Sequence, residues 1–571
     1  MAKNNYFWNG LFTTAVIGIF GRMEFKKLER ASDNPKKYAA RTLRRILFYA
    51  KDSEYGRKHN FAEILKTRDA DELFRLYREN VRTHEYEDFR PLVERHKNGE
   101  AGVLFPGKPM MYATTSGTTN DPKWIPLTRR YIFNVYKKMT RAWLYNFMLN
   151  KPKAFYGGML TVVGKLIEGY APDGTVYGSV SGLTRADAPF FVRHLYACPD
   201  CVYAIPDYAA RYYTLMRVSI EKDLHMILTA NPSTIVEMQN NAAEWYDEYV
   251  KDIENGTLSD KVDIPEEYRK VILEGLKPNP ARAQELRELK RKYGTPLFKH
   301  YWPNLQILST WKCGNTKIFL DRFKDSFPEG MLHQEIGYFS SECRFGMVVD
   351  DTNYTVLFPH MHYYEFVAEE DFDAATRGED VRYWQTYELE EGKRYCAYVT
   401  TYAGLYRYNM NDLVEVGPKF HNTPRVFMIQ KVNGLVSITG EKLHESQFYN
   451  SVREAASELG LGIRFSIGFA VPEESRYHFY FDFTDDGVSQ EQADNLAARV
   501  DEILKSKNIE YESKRDSFRL KDPVAHRLVS NAFEKFKTAR VAEGMRDGQF
   551  KLNLLLQDEK RHAGFKQLVK E

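Results

Sequence analysis

Apolar residues recur at helical spacing along the first hundred residues of the chain. Two stretches carry this pattern, namely Leu43, Ile46, Leu47 and Ala50, and then Ile64, Leu73 and Leu76. Residues three or four positions apart lie on one face of an α-helix, so each stretch predicts a helix that buries this face. We therefore expect the first hundred residues to be helical.

Beyond residue 100, short apolar runs alternate with stretches of helical spacing. Runs with the length and composition of strands lie at 159–163, 305–309, 354–358 and 398–400. Helical patterns occupy 233–252 and 281–293, between these runs. Such alternation is typical of mixed α/β layers.

The chain after residue 430 could bury a core of its own. Its predicted elements are a helix at 445–459, paired strands at 464–471 and 477–483, a helix beginning at the capping-box segment 489–492, another helix at 525–542, and an apolar run at 550–556. We therefore predict a first domain over residues 1–430 and a second over 431–571. The predicted fold class is α/β, a large multi-sheet body with a smaller α/β C-terminal domain.

The segment Leu11–Phe20 is apolar and has basic residues on both sides, Lys3 before it and Arg22 and Lys26 after it. It has about half of the ~20 residues that a membrane-spanning helix needs, and no small-residue cleavage site follows. A docked or peripheral helix is favoured over a signal or a membrane-surface anchor. A cytoplasmic protein is therefore expected, with membrane association open but not favoured.

Composition narrows the function classes. The 571 residues are 43% hydrophobic and 28% charged, which excludes disordered and collagen-like chains. With 81 Lys+Arg against 78 Asp+Glu and no basic stripe, binding to nucleic acid is not expected. Five cysteines are an odd number and too few for a disulfide framework, so a reducing compartment fits. The 14% of aromatic residues could wall a pocket.

The first candidate for chemistry is the hydroxyl-rich segment 114–123. Its candidate ligands are Thr115, Ser116, Gly117, Thr118, Thr119 and Lys123. Small hydroxyl residues around a glycine allow backbone N–H groups to surround a phosphate, and the lysine adds positive charge. The alternative is a Thr-rich surface turn.

Two further segments combine aromatic and acidic residues. In the segment 337–346, Tyr338 and Phe339 could stack on a nucleobase while Glu342 holds a metal ion near phosphates, or the segment could be a buried turn. In the segment 402–412, Asp412 could bind ribose hydroxyls and Arg407 could order nearby acidic groups. Its alternative is an exposed Arg–Asp pair on a hairpin.

Three other patterns carry weaker signals. The segment 102–109 matches the start of a Walker A loop, but Pro109 stands where a Mg²⁺-binding hydroxyl is needed. The pair Cys198 and Cys201 lacks a second CxxC, so inert thiols are favoured over a zinc or redox site. Alternating polar residues of a predicted strand could line a substrate pocket; they are His360, His362 and Tyr364.

Taken in order, the segments at 114–123, 337–346 and 402–412 resemble those of the auxin-responsive acyl acid amido synthetase (Gretchen Hagen) family, within the firefly-luciferase-like adenylate-forming superfamily. The amino-acid sequence is most similar to that of the family in Tyr338–Gly346 and in Thr115–Thr119 followed by Lys123–Thr128. Shorter matches lie at Tyr55–Arg57, Asn231–Ser233, Trp302–Leu305 and Thr439–Leu443. The likeness runs from about residue 40 to the C-terminus.

The resemblance implies a ligase that uses ATP and Mg²⁺. A substrate carboxylate would attack the α-phosphate of ATP, and the amine of an amino acid would then displace AMP from the acyl-adenylate. Both steps build charge at phosphorus or at a carbonyl oxygen, so catalysis would rest on positioning and electrostatic stabilisation. The expected partners are a small carboxylic acid and an amino acid, and a monomer is expected.

The resemblance also implies roles for single residues. The hydroxyl-rich segment would hold the β- and γ-phosphates through Thr115, Ser116, Gly117, Thr118, Thr119 and Lys123. Adenine would lie against Tyr338 and Phe339, with Ser341 near the α-phosphate, Glu342 on Mg²⁺, Asp412 on the ribose hydroxyls and Arg407 beside them. A mobile C-terminal domain would rotate between the two half-reactions and deliver Lys551, with Lys442 as the second candidate.

Three residues depart from the family's pattern. Asn411 precedes Asp412 where a glycine is usual, so this turn must form without glycine's freedom, although Asn tolerates a positive φ better than most residues. Gln430 stands where an arginine is frequent, and Asn553 where a proline is. Asn411, Gln430 and the apolar segment Leu11–Phe20 leave open a nucleotide-binding or membrane-associated protein without turnover. An acyl-CoA ligase with the same first step is a separate alternative.

Overall fold

The computed structural model describes residues 2–115, 122–165, 167–186, 188–312, 317–432, 435–532, 535–536 and 554–570. The chain divides into two compact units. The N-terminal unit contains residues 1–114 and 124–430, and the C-terminal unit contains residues 115–123 and 431–571.

The first hundred residues are helical, as their apolar spacing predicts. Their helices are α1 (Ala2–Asp33), α2 (Pro35–Ala50), α3 (Glu54–Lys58), α4 (Phe61–Ile64), α5 (Ala70–Asn80) and α6 (Tyr86–Lys97). The apolar face of α2 is buried throughout, which confirms its predicted helix. Ile64 and Leu73 belong to two helices because Asp69 caps α5, accepting the N–H of Glu72 at 2.8 Å.

The remaining helices of the N-terminal unit lie between or beside the strands. They are α7 (Arg129–Tyr131), α8 (Lys137–Asn150), α9 (Val180–Ala186), α10 (Phe190–Arg193), α11 (Tyr208–Ile220), α12 (Ser233–Glu244), α13 (Tyr246–Asn255), α14 (Glu266–Gly275), α15 (Pro280–Tyr293), α16 (Phe298–Tyr301), α17 (Lys317–Phe323) and α18 (Phe372–Thr376). The helix predicted at 281–293 is confirmed by α15. The helix predicted at 233–252 is two helices, because the backbone of Trp245 leaves the helical region. None of the described helices is long and apolar enough to cross a membrane.

Strands up to residue 431 form three sheets and a short pair. They are β1 (Met111–Thr115), β2 (Lys123–Leu127), β3 (Gly158–Val162), β4 (Gly169–Tyr170), β5 (Val176–Gly178), β6 (Leu224–Thr229), β7 (Ile307–Thr310), β8 (Leu332–Glu335), β9 (Gly346–Met347), β10 (Val356–Leu357), β11 (Tyr363–Ala368), β12 (Trp384–Gln385), β13 (Arg394–Thr400), β14 (Tyr408–Phe420) and β15 (Thr423–Lys431).

Two of these sheets position the candidate site. The first is parallel, in the order β3-β6-β7-β8, and contains the strands predicted at 159–163 and 305–309. The second has the order β12-β11-β13-β14-β15, with antiparallel pairs from β12 to β14. The third sheet has the order β2-β1-β5-β4, and β9 pairs with β10. Parallel strands present their carboxyl ends at one edge, where α/β proteins bind ligands.

The C-terminal unit has a four-stranded sheet in the order β20-β19-β18-β21. Its strands are β16 (Leu435–Val436), β17 (Leu443–His444), β18 (Ile463–Val471), β19 (Arg476–Phe483), β20 (Val524–Arg527) and β21 (Leu555–Leu556), and its helices α19 (Glu445–Glu458), α20 (Gln490–Lys507), α21 (Ile509–Asp516) and α22 (Glu559–Lys566). The paired strands and the capping box at Ser489 are confirmed. The helix predicted at 525–542 begins later than predicted, because β20 occupies Val524–Arg527 and pairs with β19, while residues 532, 535 and 536 are helical.

Gly346 provides a test of packing between β9 and β10. A Cβ atom on Gly346 would lie 1.9 Å from the carbonyl oxygen of Val356, whereas one on Gly275, at the end of α14, would meet nothing within 4 Å. We expect Gly346→Ala to lose about 2 kcal/mol of stability or more, since backbone atoms must move. Gly275→Ala should be neutral or slightly stabilising.

Thermal unfolding of the two glycine variants checks this expectation. Equal unfolding midpoints for Gly346→Ala and the wild type would contradict the close approach of β9 to β10.

Candidate functional site

The aromatic and acidic segment after β8 is a tight hydrogen-bonded loop. Gly337 begins it with a φ of 105°, and its Cα lacks room for a side chain because the Cα of Met347 would be 2.9 Å from a Cβ. The N–H of Ser340 donates to the carbonyl oxygen of Cys343 at 3.0 Å, and the N–H of Phe345 donates to the carbonyl oxygen of Tyr338 at 3.1 Å. This loop therefore has Ser341 and Glu342 at its tip.

Tyr338 joins this loop to the five-stranded sheet. Its ring stacks on Phe345 with centroids 3.8 Å apart, and its hydroxyl donates to Oδ2 of Asp412 in β14 at 2.5 Å. Burial and the neighbouring charge of Asp412 raise the pKa of Tyr338 well above its usual value, so the phenol stays protonated and remains a donor. The structure thus brings together the predicted adenine and ribose residues.

Glu342 is a buried carboxylate close to this contact. Burial raises the pKa of the Tyr408 hydroxyl well above its usual value, and the charge of Glu342 adds to the effect. Phe339 and Ser341 are only partly buried. An aromatic ring, a hydroxyl and two carboxylates, those of Glu342 and Asp412, therefore lie on neighbouring segments of one unit.

The backbone at Asn411 sets the position of Asp412. Asn411 has a φ of 53°, the left-handed conformation in which glycine is favoured and asparagine is tolerated. Its side-chain amide donates to Glu85 at 3.0 Å, and Asn409 donates to the other oxygen of Glu85 at 2.7 Å. Glu85 precedes α6, and no signal in the sequence pointed to it. The turn at Asn411 thus forms without a glycine.

Two substitutions separate the backbone requirement at Asn411 from its side-chain bond. Both Asn411→Gly and Asn411→Ala remove the amide bond to Glu85, but only alanine adds a Cβ penalty at positive φ. We expect Asn411→Ala to be less stable than Asn411→Gly by about 1 kcal/mol, measured by thermal unfolding. Equal stability of the two variants would mean that the left-handed conformation is not retained.

Arg407 lies in a buried network of ion pairs. Its Nε donates to Glu365 at 2.9 Å, and the other oxygen of that carboxylate accepts from Arg78 at 2.8 Å. Nη1 of Arg407 donates to the carbonyl oxygen of Val81 at 2.8 Å. The alternative of an exposed Arg–Asp pair is therefore wrong, since Arg407 is buried and contacts Glu365. Contact of Arg407 with a nucleotide stays a prediction.

The three candidate pocket residues lie in β11 or just before it. Tyr364 is buried, donates its hydroxyl to the carbonyl oxygen of Phe345 at 2.7 Å, and stacks on the Phe345 ring. His362 is fully buried and His360 partly exposed. Burial is the main reason why the pKa of both histidines is lowered to about 3, so both imidazoles are neutral at pH 7. Tyr364 supports the loop, and the lining of a substrate pocket stays a prediction.

Glu335, at the carboxyl end of β8, is a residue that sequence reasoning missed. Its carboxylate accepts the N–H of Gly337 at 2.9 Å and also that of Lys312, which follows β7. Burial raises its pKa to about 7. Glu335 therefore ties the ends of two parallel strands to the start of the aromatic loop.

The raised pKa of Glu335 predicts a pH dependence of stability. Between about pH 4.5 and pH 7 the folded protein keeps a proton that the unfolded chain releases, so stability falls as the pH rises through this window. The loss is on the order of 3 kcal/mol at most. Glu335→Gln stays neutral and should make unfolding midpoints less dependent on pH.

The exposed Glu329 offers a matched control, because Glu329→Gln should retain the wild-type pH dependence. The same slope in Glu335→Gln and the wild type would exclude a proton on Glu335.

Several predicted residues lie outside the described residues, namely Ser116, Gly117, Thr118, Thr119, Lys551 and Asn553, as do the side chains of Thr115 and Gln430. Lys123 begins β2, and its charge, together with burial as the larger cause, lowers the pKa of His444 within the C-terminal unit. Lys442 accepts a hydrogen bond at its carbonyl oxygen from Asn508 at 2.9 Å. No group of three or more His, Cys, Asp or Glu residues in the described part of the chain could hold a metal ion.

Two weaker sequence patterns have structural roles. Phe105, in the Walker-like segment, is buried and stacks on His96 with centroids 4.4 Å apart, so this segment packs as core. Cys198 is buried beside Ser219, and burial raises its pKa. Both observations agree with the readings favoured above.

Three domain models of one protein family match the amino-acid sequence of this chain. The GH3 family N-terminal domain model matches residues 24–332, the GH3 family central domain model matches 355–431, and the GH3 family C-terminal domain model matches 446–560. The indole-3-acetic acid-amido synthetase GH3.10 of Arabidopsis thaliana is 25% identical over 473 residues, 76% of this chain and 78% of its own. The probable indole-3-acetic acid-amido synthetase GH3.1 of the same plant is 24% identical over 551 residues, 92% of this chain and 90% of its own.

Solved structures have a similar fold. A GH3.15 acyl acid amido synthetase aligns with a TM-score of 0.63 at 18% identity over 96% of each chain. A 2-hydroxyisobutyryl-CoA ligase in complex with 2-HIB-AMP and CoA aligns with a TM-score of 0.50 at 13% identity, over 93% of this chain and 92% of its own. These likenesses confirm the predicted α/β multi-sheet fold with a larger N-terminal and a smaller C-terminal domain.

Proposed function

The chain belongs to the GH3 family, and from this premise we propose that it is an ATP-dependent acyl acid–amino acid ligase that acts through an acyl-adenylate. The observation that carries the proposal is the buried hydrogen bond from Tyr338 to Asp412, with the carboxylate of Glu342 nearby. This arrangement supports binding of a nucleotide, because it combines an aromatic surface with acidic acceptors for ribose hydroxyls.

In the first step, a substrate carboxylate attacks the α-phosphate of ATP and pyrophosphate leaves. Tyr338 and Phe339 would hold adenine, and Asp412 would accept hydrogen bonds from the ribose. One carboxylate accepts several hydrogen bonds, so Asp412 can hold Tyr338 and bind hydroxyls as well. The bond from Tyr338 would keep Asp412 in one orientation, and such preorganisation lowers the barrier to reaction.

Charge at the phosphates needs positive groups. Lys123 would supply one, together with the N–H groups and hydroxyls of Thr115, Ser116, Gly117, Thr118 and Thr119. Mg²⁺ usually binds one or two carboxylates and phosphate oxygens, which fits Glu342 as its protein ligand, and when bound it would neutralise charge on the triphosphate. Ser341, at the tip of the loop, would lie near the α-phosphate.

In the second step, the amine of an amino acid attacks the acyl carbonyl and AMP leaves. The carbonyl carbon forms a bond to nitrogen as its bond to the phosphate oxygen breaks, so an amide and AMP result. Lys551 of the C-terminal unit would stabilise the charge on the leaving phosphate in one of the two steps. The neutral His362 and the aromatic Tyr364 fit walls around an uncharged part of the acid.

Pyrophosphate release tests the proposal. The wild type is incubated with ATP, Mg²⁺, a panel of carboxylic acids and a pooled amino-acid mixture, and products are identified by mass spectrometry. We expect release that depends on an acid, and an amide product. Glu342→Gln and Asp412→Asn should each lower kcat/KM by about a hundredfold or more, since each removes an interaction with a charged or polar part of the nucleotide.

Glu391→Gln is the matched control, because Glu391 is exposed and its substitution should leave the rate unchanged. CoA added to the same mixture distinguishes an acyl-CoA ligase, and a thioester as the only product would overturn amide formation. Nucleotide binding without any acid-dependent pyrophosphate release would overturn the ligase itself.

A further inference from the structure

Helix α1 exposes a row of large apolar side chains. Trp8 is 67% exposed, Phe12 53% and Ile19 68%, and Leu11 and Met23 are exposed as well. The opposite face is packed, because Gly21 lies against the backbone of Arg141 in α8 and Ile17 is buried. Exposed side chains of this size and number on one helix face are unusual for a surface that contacts only water.

Five of the six exposed large apolar side chains described on α1 form one stripe, and Phe20, 49% exposed, lies outside it. At about 100° per residue, the five apolar side chains fall within a sector of about 120°. The same sector continues along the helix with Arg22, Lys26 and Arg30, all exposed. The acidic residues of this sector, Glu29 and Asp33, follow Arg22 and Lys26 along the helix. Oδ1 of Asp33 lies 2.7 Å from Nδ1 of His421. The stripe is therefore apolar in its first half and basic where the second half begins.

A neighbouring helix extends the apolar half of the stripe. Phe191 of α10 packs edge-on against Phe12 with centroids 5.6 Å apart, and the adjacent Phe190 is 69% exposed. Apolar surface thus accumulates beside the start of α1.

We propose that this face of α1 binds the surface of a membrane that contains anionic lipids. Trp8, Phe12 and Ile19 would enter the boundary between headgroups and acyl chains, where tryptophan is favoured. Arg22 and Lys26 would lie against lipid phosphates. The apolar and basic halves of the stripe together favour this partner. An uncharged apolar surface would leave the basic residues without a counter-charge. An acidic surface without apolar groups would leave the aromatic residues in water.

The proposed contact is peripheral. None of the described helices meets the requirements of a membrane span, and the packed face of α1 remains against α8. The inference goes beyond the proposed ligase activity and does not depend on it, so either can fail without the other.

Vesicle co-sedimentation of the full chain tests the proposal. Two kinds of vesicle are compared, phosphatidylcholine alone and equal parts of phosphatidylcholine and phosphatidylglycerol. We expect binding to the anionic vesicles, weaker binding as salt is added, and little binding to phosphatidylcholine. Equal sedimentation with and without vesicles would overturn the proposal.

Two double variants separate the halves of the stripe. Trp8→Ser with Ile19→Ser, and Arg22→Glu with Lys26→Glu, should each weaken binding to anionic vesicles by roughly tenfold or more. The matched controls change equally exposed residues elsewhere: Ile509→Ser with Phe518→Ser, and Arg291→Glu with Lys292→Glu in α15. Both control pairs should bind like the wild type.

Light scattering distinguishes a second copy of the chain as the occupant of this face. A monomer in solution that binds vesicles is expected. Two results together would overturn the proposal. The wild type would form a dimer that the double variant Trp8→Ser with Ile19→Ser dissociates, and that variant would bind vesicles as well as the wild type does. Unchanged unfolding midpoints in all four double variants are expected, because every substituted side chain is exposed.

Discussion

The hydrogen bond from the hydroxyl of Tyr338 to Asp412 holds together the two sheets that build the candidate site. A buried carboxylate without a donor would cost several kcal/mol, so the phenol stabilises the folded arrangement as well as orienting the acid. This bond, with the one from the Tyr364 hydroxyl in β11 to the carbonyl oxygen of Phe345, links the loop with Glu342 at its tip to the five-stranded sheet.

Further polar contacts hold the strand that carries Asp412. The carboxylate of Glu85 accepts hydrogen bonds from the side-chain amides of Asn409 and Asn411. The guanidinium of Arg407 donates to Glu365 and to the carbonyl oxygen of Val81. Loss of one partner from a buried ion pair typically costs about 3–5 kcal/mol, because the other charge stays buried. The arginine of the third sequence segment thus builds the hairpin that presents the aspartate, whatever it also does toward a ligand.

Local sequence patterns predicted much of the scaffold. The apolar spacing in α2, the strands around Leu160 and Leu308, and the capping box at Ser489 depend on neighbouring residues, and each formed as predicted. The pattern failed where a distant partner decided the conformation. The helix predicted from Ala525 begins only after β20, since pairing of Val524–Arg527 with β19 satisfies these backbone groups inside a sheet.

By itself, the sequence determined which chemical groups the candidate site contains and which family the chain resembles, because motifs are short and local. Only the tertiary structure decided which groups meet. Arg407 pairs with Glu365, 42 positions away, and Tyr338 holds Asp412, 74 positions away. Which polar groups pair depends on which of them are buried together, because a buried polar group or charge needs a partner. Burial is a property of the packed chain, and no spacing along the sequence encodes it.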